Sequence, residues 1–363
     1  MTNKTLGKNF PKGNKERTMV NIGVIGYGYW GPNLVRNFSD TPDTHVVAVS
    51  DLDEGRLRLA KSRHPSIDVT TAHQALLANP AIDAIAIATP VSSHFDLAWQ
   101  ALNAGKHVFL EKPLTETVDQ AERLIVEAAK RNLVLHVDHT FIYTGAVQKI
   151  RQLAASGELG ELLYYDSVRV NLGLFQSDIS VLWDLAVHDL AIMDYIFPFR
   201  PIAVSATGIN HVPEKPANIA FLTLFFENNA VAHLHLNWLA PVKVRRTLIG
   251  GNRKMIVYDD LEPSEKVKVY DKGITINGSK ENLYQSLIGY RTGDMWAPQI
   301  EMTEALRVEA KHFARCITNG DEPESDGQAG LRVVRILEAA TFSMNQRGRP
   351  VELGWWGEKR AAA

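Results

Sequence analysis

Three glycines with the spacing of a phosphate-binding loop lie near the start of the sequence. Gly26, Gly28 and Gly31 directly follow a strand-like apolar run and open a helix-like segment. In that context the first glycine permits a tight turn, the second lets the backbone approach a pyrophosphate, and the third lets helix and strand pack closely. A phosphate would then lie at a helix N-terminus, where N–H groups and the helix dipole favour negative charge. The predicted dinucleotide-binding loop consists of Gly26, Tyr27, Gly28, Tyr29, Trp30 and Gly31.

An acidic residue at the end of the second predicted strand indicates which dinucleotide binds. Asp51 follows Gly31 by about 20 positions, so its carboxylate can accept hydrogen bonds from the adenosine ribose and would repel a 2′-phosphate. Arg56 could meet a 2′-phosphate, but it lies within a predicted helix and we expect it to be solvated. The alternative is that the glycines only form a turn and Asp51 caps a helix. The predicted cofactor is NAD, with NADP less favoured.

A tripeptide after the fifth predicted strand carries a second chemical signal. Glu111, Lys112 and Pro113 come where that strand ends, at the carboxyl edge that binds ligands in open α/β sheets. Burial and a positive nicotinamide ring would lower the pKa of a lysine there, which could then act on the proton of a substrate hydroxyl. The alternative is a solvated lysine before a turn-forming proline.

An aspartate and a histidine four positions apart form a third signal. Asp184 and His188 share one face of a predicted helix. A carboxylate beside an imidazole can orient the ring and support its proton, which allows acid–base chemistry near neutral pH. The alternative is that Asp184 caps the helix and His188 packs in the core.

The elements that must position these residues follow two patterns. From residue 20 to about 140, short apolar runs alternate with amphipathic stretches, which predicts a doubly wound parallel sheet. The predicted strands are Asn21–Ile25, Val46–Ser50, Ile67–Val69, Asp83–Ala88, His107–Leu110 and Val134–Val137. The predicted helices between them are Glu54–Arg63, Ser93–Ala104 and Val118–Arg131.

After Tyr143 the pattern changes to longer strand-like stretches separated by turn signals, which predicts a large, mainly antiparallel sheet. The predicted strands are Glu161–Val170, Ala203–Ile209, Ile219–Phe226, Ala230–Trp238, Val242–Ile249 and Lys254–Tyr258. The predicted helices are Gly145–Ala155, Glu301–Thr318 and Gln328–Gln346. The fold class is therefore α/β plus α+β. We predict a disordered arm or tag over residues 1–19, a Rossmann domain over 20–142 and a substrate-binding and oligomerisation domain over 143–360.

Composition narrows the classes of function. A formal net charge of −2 over 363 residues gives no broad positive field for nucleic acid or a membrane surface. The single cysteine, Cys316, excludes an intramolecular disulfide and a thiolate metal cluster. No apolar run approaches the ~20 residues of a membrane span. We therefore expect a cytoplasmic protein without a metal, whose partner is a small molecule.

These motifs together resemble those of the glucose–fructose oxidoreductase / inositol dehydrogenase family, called Gfo/Idh/MocA. The resemblance covers residues 22–353 and rests on the glycine loop, Asp51, Glu111–Pro113, the Asp184 and His188 pair, and a Thr89-Pro90 turn with His94 downstream. It implies a Rossmann domain with Thr89, Pro90, His94, Glu111 and Lys112 among its cofactor-binding residues. It also implies an open-sheet domain that forms a homodimer or homotetramer. By resemblance Lys112 and His188 are the catalytic pair, with Asp184 in their network.

Within the family, two segments are similar to those of members acting on nucleotide-linked sugars, such as 3-dehydrogenases and 3-ketoreductases. They are Asp138–Phe141 and Trp183–Asp189. Trp183 departs from the glycines often found before the aspartate, and it would reshape the pocket or stack on a ring, unless it packs in the core. His139 and Tyr143 are further substrate-site candidates or packing residues.

The expected activity is hydride exchange between nicotinamide and a ring hydroxyl or ketone of a sugar, with an inositol or free sugar as the alternative substrate. Sequence does not divide the proton and oxyanion roles between Lys112 and His188. Two other classes stay open. One is a non-catalytic NAD-binding regulator, and the other is an enzyme that recycles bound NAD during elimination, hydrolysis or transfer.

A cationic strand suggests that the substrate is negatively charged. Lys243 and Arg245 alternate with valines, so in a strand both emerge on one face, and Arg169 on an earlier strand could join them. The alternative is that these cations face water or pair with Asp259 and Asp260.

Overall fold

The computed structural model describes residues 19–173, 179–213, 215–277 and 287–354. The chain divides into two compact units, the first of Met1–Tyr143 with Thr303–Val334 and the second of Thr144–Met302 with Arg335–Ala363. Residues 1–18 of the predicted arm lie outside the described residues.

The first unit has a doubly wound parallel sheet, as predicted. Its six described strands run in the order β3-β2-β1-β4-β5-β6, so the order reverses between β1 and β4. The strands are β1 (Val20–Ile25), β2 (Thr44–Ser50), β3 (Asp68–Thr70), β4 (Ala84–Ile87), β5 (His107–Glu111) and β6 (Leu135–Asp138). The helices are α1 (Gly31–Asp40), α2 (Glu54–Arg63), α3 (His73–Ala78), α4 (His94–Asn103) and α5 (Val118–Arg131). The sheet places the ends of β1, β4, β5 and β6 at one carboxyl edge, where ligands of such folds bind.

A late helix packs on the first unit, although the sequence predicts one domain over residues 143–360. Helix α8 (Ala305–Asn319) carries the buried Phe313, whose ring contacts Phe38 and Phe109 edge-on at centroid distances of 6.2 and 5.4 Å. Its apolar face thus finds its partners on α1 and β5, far away in sequence. Residues 303–334 therefore belong to the Rossmann unit.

The second unit has a large, mainly antiparallel sheet, again as predicted. Its nine described strands run in the order β16-β13-β12-β11-β7-β10-β9-β8-β17, and β7 pairs in parallel with β10. The strands are β7 (Leu162–Leu172), β8 (Ala203–Ile209), β9 (Ile219–Phe225), β10 (Val231–Asn237), β11 (Leu239–Gly251), β12 (Met255–Asp259), β13 (Val267–Tyr270), β16 (Met295–Trp296) and β17 (Val351–Glu352). The remaining elements are α6 (Gly145–Ala155), α7 (Val187–Ile196), the β14 (Gly273–Asn277) and β15 (Leu287–Arg291) pair, and α9 (Gly327–Asn345), which begins in the first unit.

The two faces of this sheet differ in burial. On β9, Ala220, Leu222 and Leu224 are fully buried, whereas Phe221 and Phe225 on the opposite face are 40% and 39% exposed. Such alternation is typical of a sheet with one face packed on a core. The described helices include none long and apolar enough to cross a membrane.

Candidate active site

The glycine loop has the geometry that its spacing predicts. Gly26 adopts φ +98°, and a Cβ there would lie 2.4 Å from the carbonyl oxygen of Ala88. A Cβ on Gly31 would lie 2.2 Å from the oxygen of Gly26. Both distances are far below van der Waals contact, so neither position accepts a side chain without a shift of the backbone.

The start of α1 is open to an anion. Trp30 is the N-cap and its side chain does not cap the helix, while Pro32 stands in the first turn. The N–H groups of this turn therefore lack a side-chain acceptor, which is the condition for phosphate binding at a helix N-terminus. Tyr27 is buried and packs in the core, whereas Tyr29 is 90% exposed and its side chain faces solvent.

Asp51 is held at the end of β2 by the loop that it was expected to complement. It is 8% exposed, and its carboxylate accepts hydrogen bonds from the backbone N–H groups of Tyr27 at 2.6 Å and Asp53 at 2.8 Å. Each oxygen keeps a lone pair beyond these bonds. A hydrogen-bond acceptor fixed at this strand end suits ribose hydroxyls. Asp53, rather than Asp51, caps α2.

Arg56 is not simply solvated, in contrast to the sequence-based expectation. Its Nη1 lies 3.6 Å from Asp51 Oδ2 and also 3.6 Å from the position that a Cβ on Gly28 would occupy. The side chain is still 53% exposed. Arg56 therefore brings a positive charge to the carboxylate that should repel a 2′-phosphate.

His94 braces two loops of the carboxyl edge. It is 1% exposed, and its ring nitrogens lie 2.9 Å from the carbonyl oxygens of Pro113 and Thr89. Burial lowers the pKa of this imidazole. These contacts give His94 a positioning role, and its contact with the cofactor stays a prediction. Thr89 and the exposed Pro90 lie at the edge itself.

Lys112 follows the last residue of β5 at the carboxyl edge and is half-buried. Its backbone N–H donates to Glu111 Oε2 at 3.2 Å, which ties the two residues together. Glu111 is buried, and burial raises the pKa of its carboxyl well above the usual range. The negative charge of the neighbouring Asp138 is the second largest cause of this rise. The tripeptide thus lies at the end of β5, where the sequence placed it.

The second unit holds the aspartate and histidine pair on a widened helical turn. Asp184 lies in a turn of π-helix, Leu182–Ala186, and His188 lies in the first turn of α7. The N-caps of this turn and of α7 are Val181 and Ala186, not Asp184. Asp184 Oδ2 accepts a hydrogen bond from the indole of the buried Trp238 at 3.2 Å. Both residues are half-buried. Turns of π-helix occur frequently at functional sites.

Two other residues of this unit have structural partners. Trp183 donates from its indole to Thr341 Oγ1 at 2.9 Å, which anchors it on α9. Arg169 is 3% exposed and forms a bidentate pair with Asp189, at 2.8 and 2.9 Å. Arg169 was predicted to join an anion site, and the structure commits it to Asp189 instead.

The two cationic side chains of the predicted anion-binding strand have different surroundings. Lys243 is exposed, whereas Arg245 pairs with Asp260 at 3.2 Å. Arg245 is in register with Arg169 on the adjacent strand, as an across-the-sheet arrangement requires. The pairing with Asp260 nevertheless matches the alternative considered from the sequence.

Two substrate-site candidates lie inside the first unit. His139 is 3% exposed, and Tyr143, also 3% exposed, contacts His312 Nδ1 through its hydroxyl at 3.0 Å. Both therefore belong to the packed interior of this unit. This favours the packing interpretation over direct contact with substrate.

Sequence reasoning missed a group of buried polar residues beside Glu111. Asp138 pairs in register with Glu111 at the ends of β6 and β5, and Glu309 on α8 lies 3.0 Å from His136 Nε2. Asp138 stands at a strand end as Glu111 does, but the sequence named it only within the segment Asp138–Phe141. Glu309 had no such signal because it reaches the strands from a helix about 170 residues later.

These features fit a dinucleotide. The uncapped helix start, the glycine that tolerates no Cβ, and the buried carboxylate at the end of β2 lie on neighbouring elements of one unit. By their chemistry, the loop would hold the pyrophosphate and Asp51 the adenosine ribose.

Comparison with known proteins agrees with this fold and site. Residues 20–139 match the Gfo/Idh/MocA "Oxidoreductase family, NAD-binding Rossmann fold", and residues 151–353 match its "C-terminal alpha/beta domain". A UDP-N-acetylglucosamine 3-dehydrogenase of Acidithiobacillus ferrooxidans is 29% identical over 87% of this chain and 94% of its own length. A myo-inositol 2-dehydrogenase of Thermotoga maritima is 24% identical over 92% of this chain and 98% of its own.

A solved structure of the Acidithiobacillus enzyme superposes with a TM-score of 0.77 at 26% identity, covering 90% of this chain and 98% of that one. Because the two family domains together span most of the sequence, the resemblance seen in the motifs is confirmed. The chain is a member of the Gfo/Idh/MocA oxidoreductase family.

Proposed function

We propose that this protein is an NAD-dependent oxidoreductase that transfers hydride between nicotinamide and a ring hydroxyl or ketone of a nucleotide-linked sugar. The observation that carries the proposal is the position of Lys112. Lys112 follows β5 at the same carboxyl edge of the sheet as the glycine loop and Asp51. A side chain able to transfer a proton and the residues suited to bind a dinucleotide therefore lie at one edge.

The bound nicotinamide supplies the hydride acceptor or donor, and the chain's own residues handle the proton and the oxygen. Lys112 or His188 takes the proton from the hydroxyl as the carbon–hydrogen bond breaks, and the other stabilises the developing charge on oxygen. Asp184, fixed by Trp238, supports the imidazole.

The preference for NAD rests on Asp51. Its carboxylate is fixed by two backbone N–H groups, so it stands ready to accept from ribose hydroxyls and opposes a 2′-phosphate. Arg56 beside it reduces that opposition. NAD is therefore the preferred cofactor, with measurable use of NADP.

The nucleotide-linked sugar is supported by the Acidithiobacillus relative, which is named for such a substrate. The exposed Lys243 is available to a diphosphate, whereas the pairing of Arg169 and Arg245 with carboxylates weakens the larger anion site. A second candidate is an inositol or free sugar, favoured by the inositol dehydrogenase relative.

Self-association through the open face of the large sheet belongs to the same proposal, as does a cytoplasmic location. Exposed Phe221 and Phe225 mark that face. The single cysteine is reduced and buried, as a reducing compartment allows.

A substrate panel tests the proposal. The wild-type protein is assayed for NAD reduction with a UDP-sugar, the matching free sugar and myo-inositol, and for NADH oxidation with the keto forms. We expect kcat/KM for the UDP-sugar to exceed that for the free sugar by roughly tenfold or more, from an added charge-assisted contact. Faster turnover of inositol or free sugar selects the second candidate. Tight binding of NAD without turnover of any class would favour a non-catalytic regulator.

A further inference from the structure

A buried cluster of carboxyl groups includes Glu111, the residue before Lys112 in the chain. Its members are Glu111 at the end of β5, Asp138 at the end of β6 and Glu309 on α8, which are 9%, 1% and 0% exposed. Glu111 and Asp138 are register partners on adjacent parallel strands, so their side chains leave the same face of the sheet. Three acids in so dry a space cannot all carry a charge at neutral pH.

The three acids differ in the hydrogen-bond donors that face them. Asp138 accepts from Trp30 Nε1 at 3.1 Å and from the hydroxyl of Thr140. Donors of this kind stabilise a carboxylate. Within the described residues, Oε1 of Glu111 and Oε2 of Glu309 have no hydrogen-bond partner. The other oxygen of each has one contact, with the Lys112 backbone N–H and with His136 Nε2 respectively, so an ion at either acid would be less well solvated than one at Asp138.

Burial and the charge of Asp138 therefore keep protons on the other two acids. Burial is the larger cause that raises the pKa of both the Glu111 and Glu309 carboxyls, and Asp138 adds to it. The neighbouring His136 is driven neutral, since burial lowers the pKa of its ring. No group of three or more histidine, cysteine or acidic side chains in the described residues is arranged to hold a metal ion.

The other charged and titratable groups around the cluster come from each element packed on it. Lys112 adjoins Glu111, and His139 and Tyr143 follow β6 in the chain, while His312 lies one turn after Glu309 on α8. Of these groups, the cation Lys112 lowers the pKa of Glu111, but the rise caused by burial is larger. A second positive charge at the carboxyl edge would add to the effect of Lys112.

Such a charge arrives with the oxidised cofactor. This step rests on the proposed function, in which NAD binds to the first unit. In dinucleotide-binding sheets, one nucleotide lies over β1–β3 and the other over β4–β6, so the nicotinamide half belongs to the edge that Glu111 occupies. The oxidised ring is a cation and the reduced ring is neutral.

We propose that Glu111 exchanges a proton with the redox state of the cofactor. The carboxyl is protonated in the free protein and in the NADH complex, and it releases its proton to solvent when NAD⁺ binds. The site thus loses one proton from Glu111 when it gains the one positive charge of the nicotinamide ring. Trp30 connects the cluster to the glycine loop through Asp138, so the same side chains that hold the buried charge also contact the cofactor loop.

The sign of the pH dependence follows. Because the free protein carries the proton and the NAD⁺ complex does not, a higher pH favours NAD⁺ binding. The affinity for NAD⁺ rises by up to about tenfold per pH unit below the pKa of Glu111 in the free protein, and the affinity for NADH does not.

Titration calorimetry in two buffers of different ionisation enthalpy counts the protons released on binding. We expect about one proton for NAD⁺ and close to none for NADH. Glu111→Gln should abolish the difference, and Glu116→Gln, at an exposed position a few residues later, should leave it unchanged. Equal proton counts for the two nucleotides in the wild type would overturn the proposal, even if Glu111→Gln fails to fold. Binding of neither nucleotide would instead overturn the cofactor assignment and this inference with it.

Discussion

Lys112 is the residue on which the proposed chemistry depends most. We predict that Lys112→Met lowers kcat by roughly a hundredfold or more, because a group that transfers a proton in the transition state contributes about that much. The affinity for NAD should stay within a few-fold, since the pyrophosphate and ribose contacts come from other elements. Steady-state kinetics and nucleotide binding measure the two effects, and near-normal turnover would remove Lys112 from the mechanism.

We expect substitutions of Asp51 and of Arg56 to change the preference between NAD and NADP in opposite directions. Asp51→Ala removes ribose hydrogen bonds and charge repulsion, so we expect the NAD-over-NADP ratio of kcat/KM to fall about tenfold or more, as for the loss of a charged hydrogen bond. Arg56→Ala should raise the ratio, because it removes the cation beside Asp51.

Arg58 offers a matched control for this pair. It lies on the same helix but is 75% exposed and pairs with Glu54, so Arg58→Ala should leave the ratio unchanged. A parallel fall in the Asp51 and Arg56 variants would show that the two side chains only hold the loop in shape.

At the scale of elements, the pair of Arg169 on β7 and Asp189 on α7 joins the large sheet to the helix that carries His188. Arg169→Ala would leave Asp189 charged and buried, which costs about 3–5 kcal/mol of folding free energy. Arg245 is the register partner of Arg169, and its ion pair with Asp260 is partly exposed, at 31% and 18%. Arg245→Ala should therefore cost no more than about 1 kcal/mol. Denaturant unfolding measures both. Equal, small losses would contradict the structural role of Arg169.

Local motifs explain which elements were predictable. The glycine loop, the acid after β2 and the lysine after β5 each depend on a few neighbouring residues, so their positions follow from the sequence. The partners of Arg169 and His136 do not, because register and helix packing bring Asp189 and Glu309 to them. The short strands β13, β16 and β17 have too few residues to show an alternating pattern.

Helix α8 illustrates the same limit. Its amphipathic pattern predicts a helix but does not say which core will bury its apolar face. The place of Phe313 among the rings of the first unit depends on the assembled sheet.

At the scale of the whole molecule, the open face of the large sheet predicts self-association. Phe221 stacks on His235 at a centroid distance of 4.6 Å and is still 40% exposed. Exposed apolar patches of this kind mark protein interfaces. Phe221→Asp should shift the protein toward monomer in light scattering at micromolar concentration. Leu261→Asp, 42% exposed on a turn after β12, is the control that should not, and a monomeric wild type would contradict the interface.

We propose above that hydride moves between nicotinamide and a sugar ring carbon in this protein. The most direct measurement uses NADH deuterated at C4, on the face that is transferred, and a 3-keto nucleotide sugar, with mass spectrometry of the products. We predict a nucleotide sugar whose new ring hydroxyl stands on a carbon that carries one deuterium, and no transfer above background with Lys112→Met. Reduced cofactor that binds but keeps its deuterium, with this sugar and with free keto sugars and keto-inositols alike, would contradict the claim.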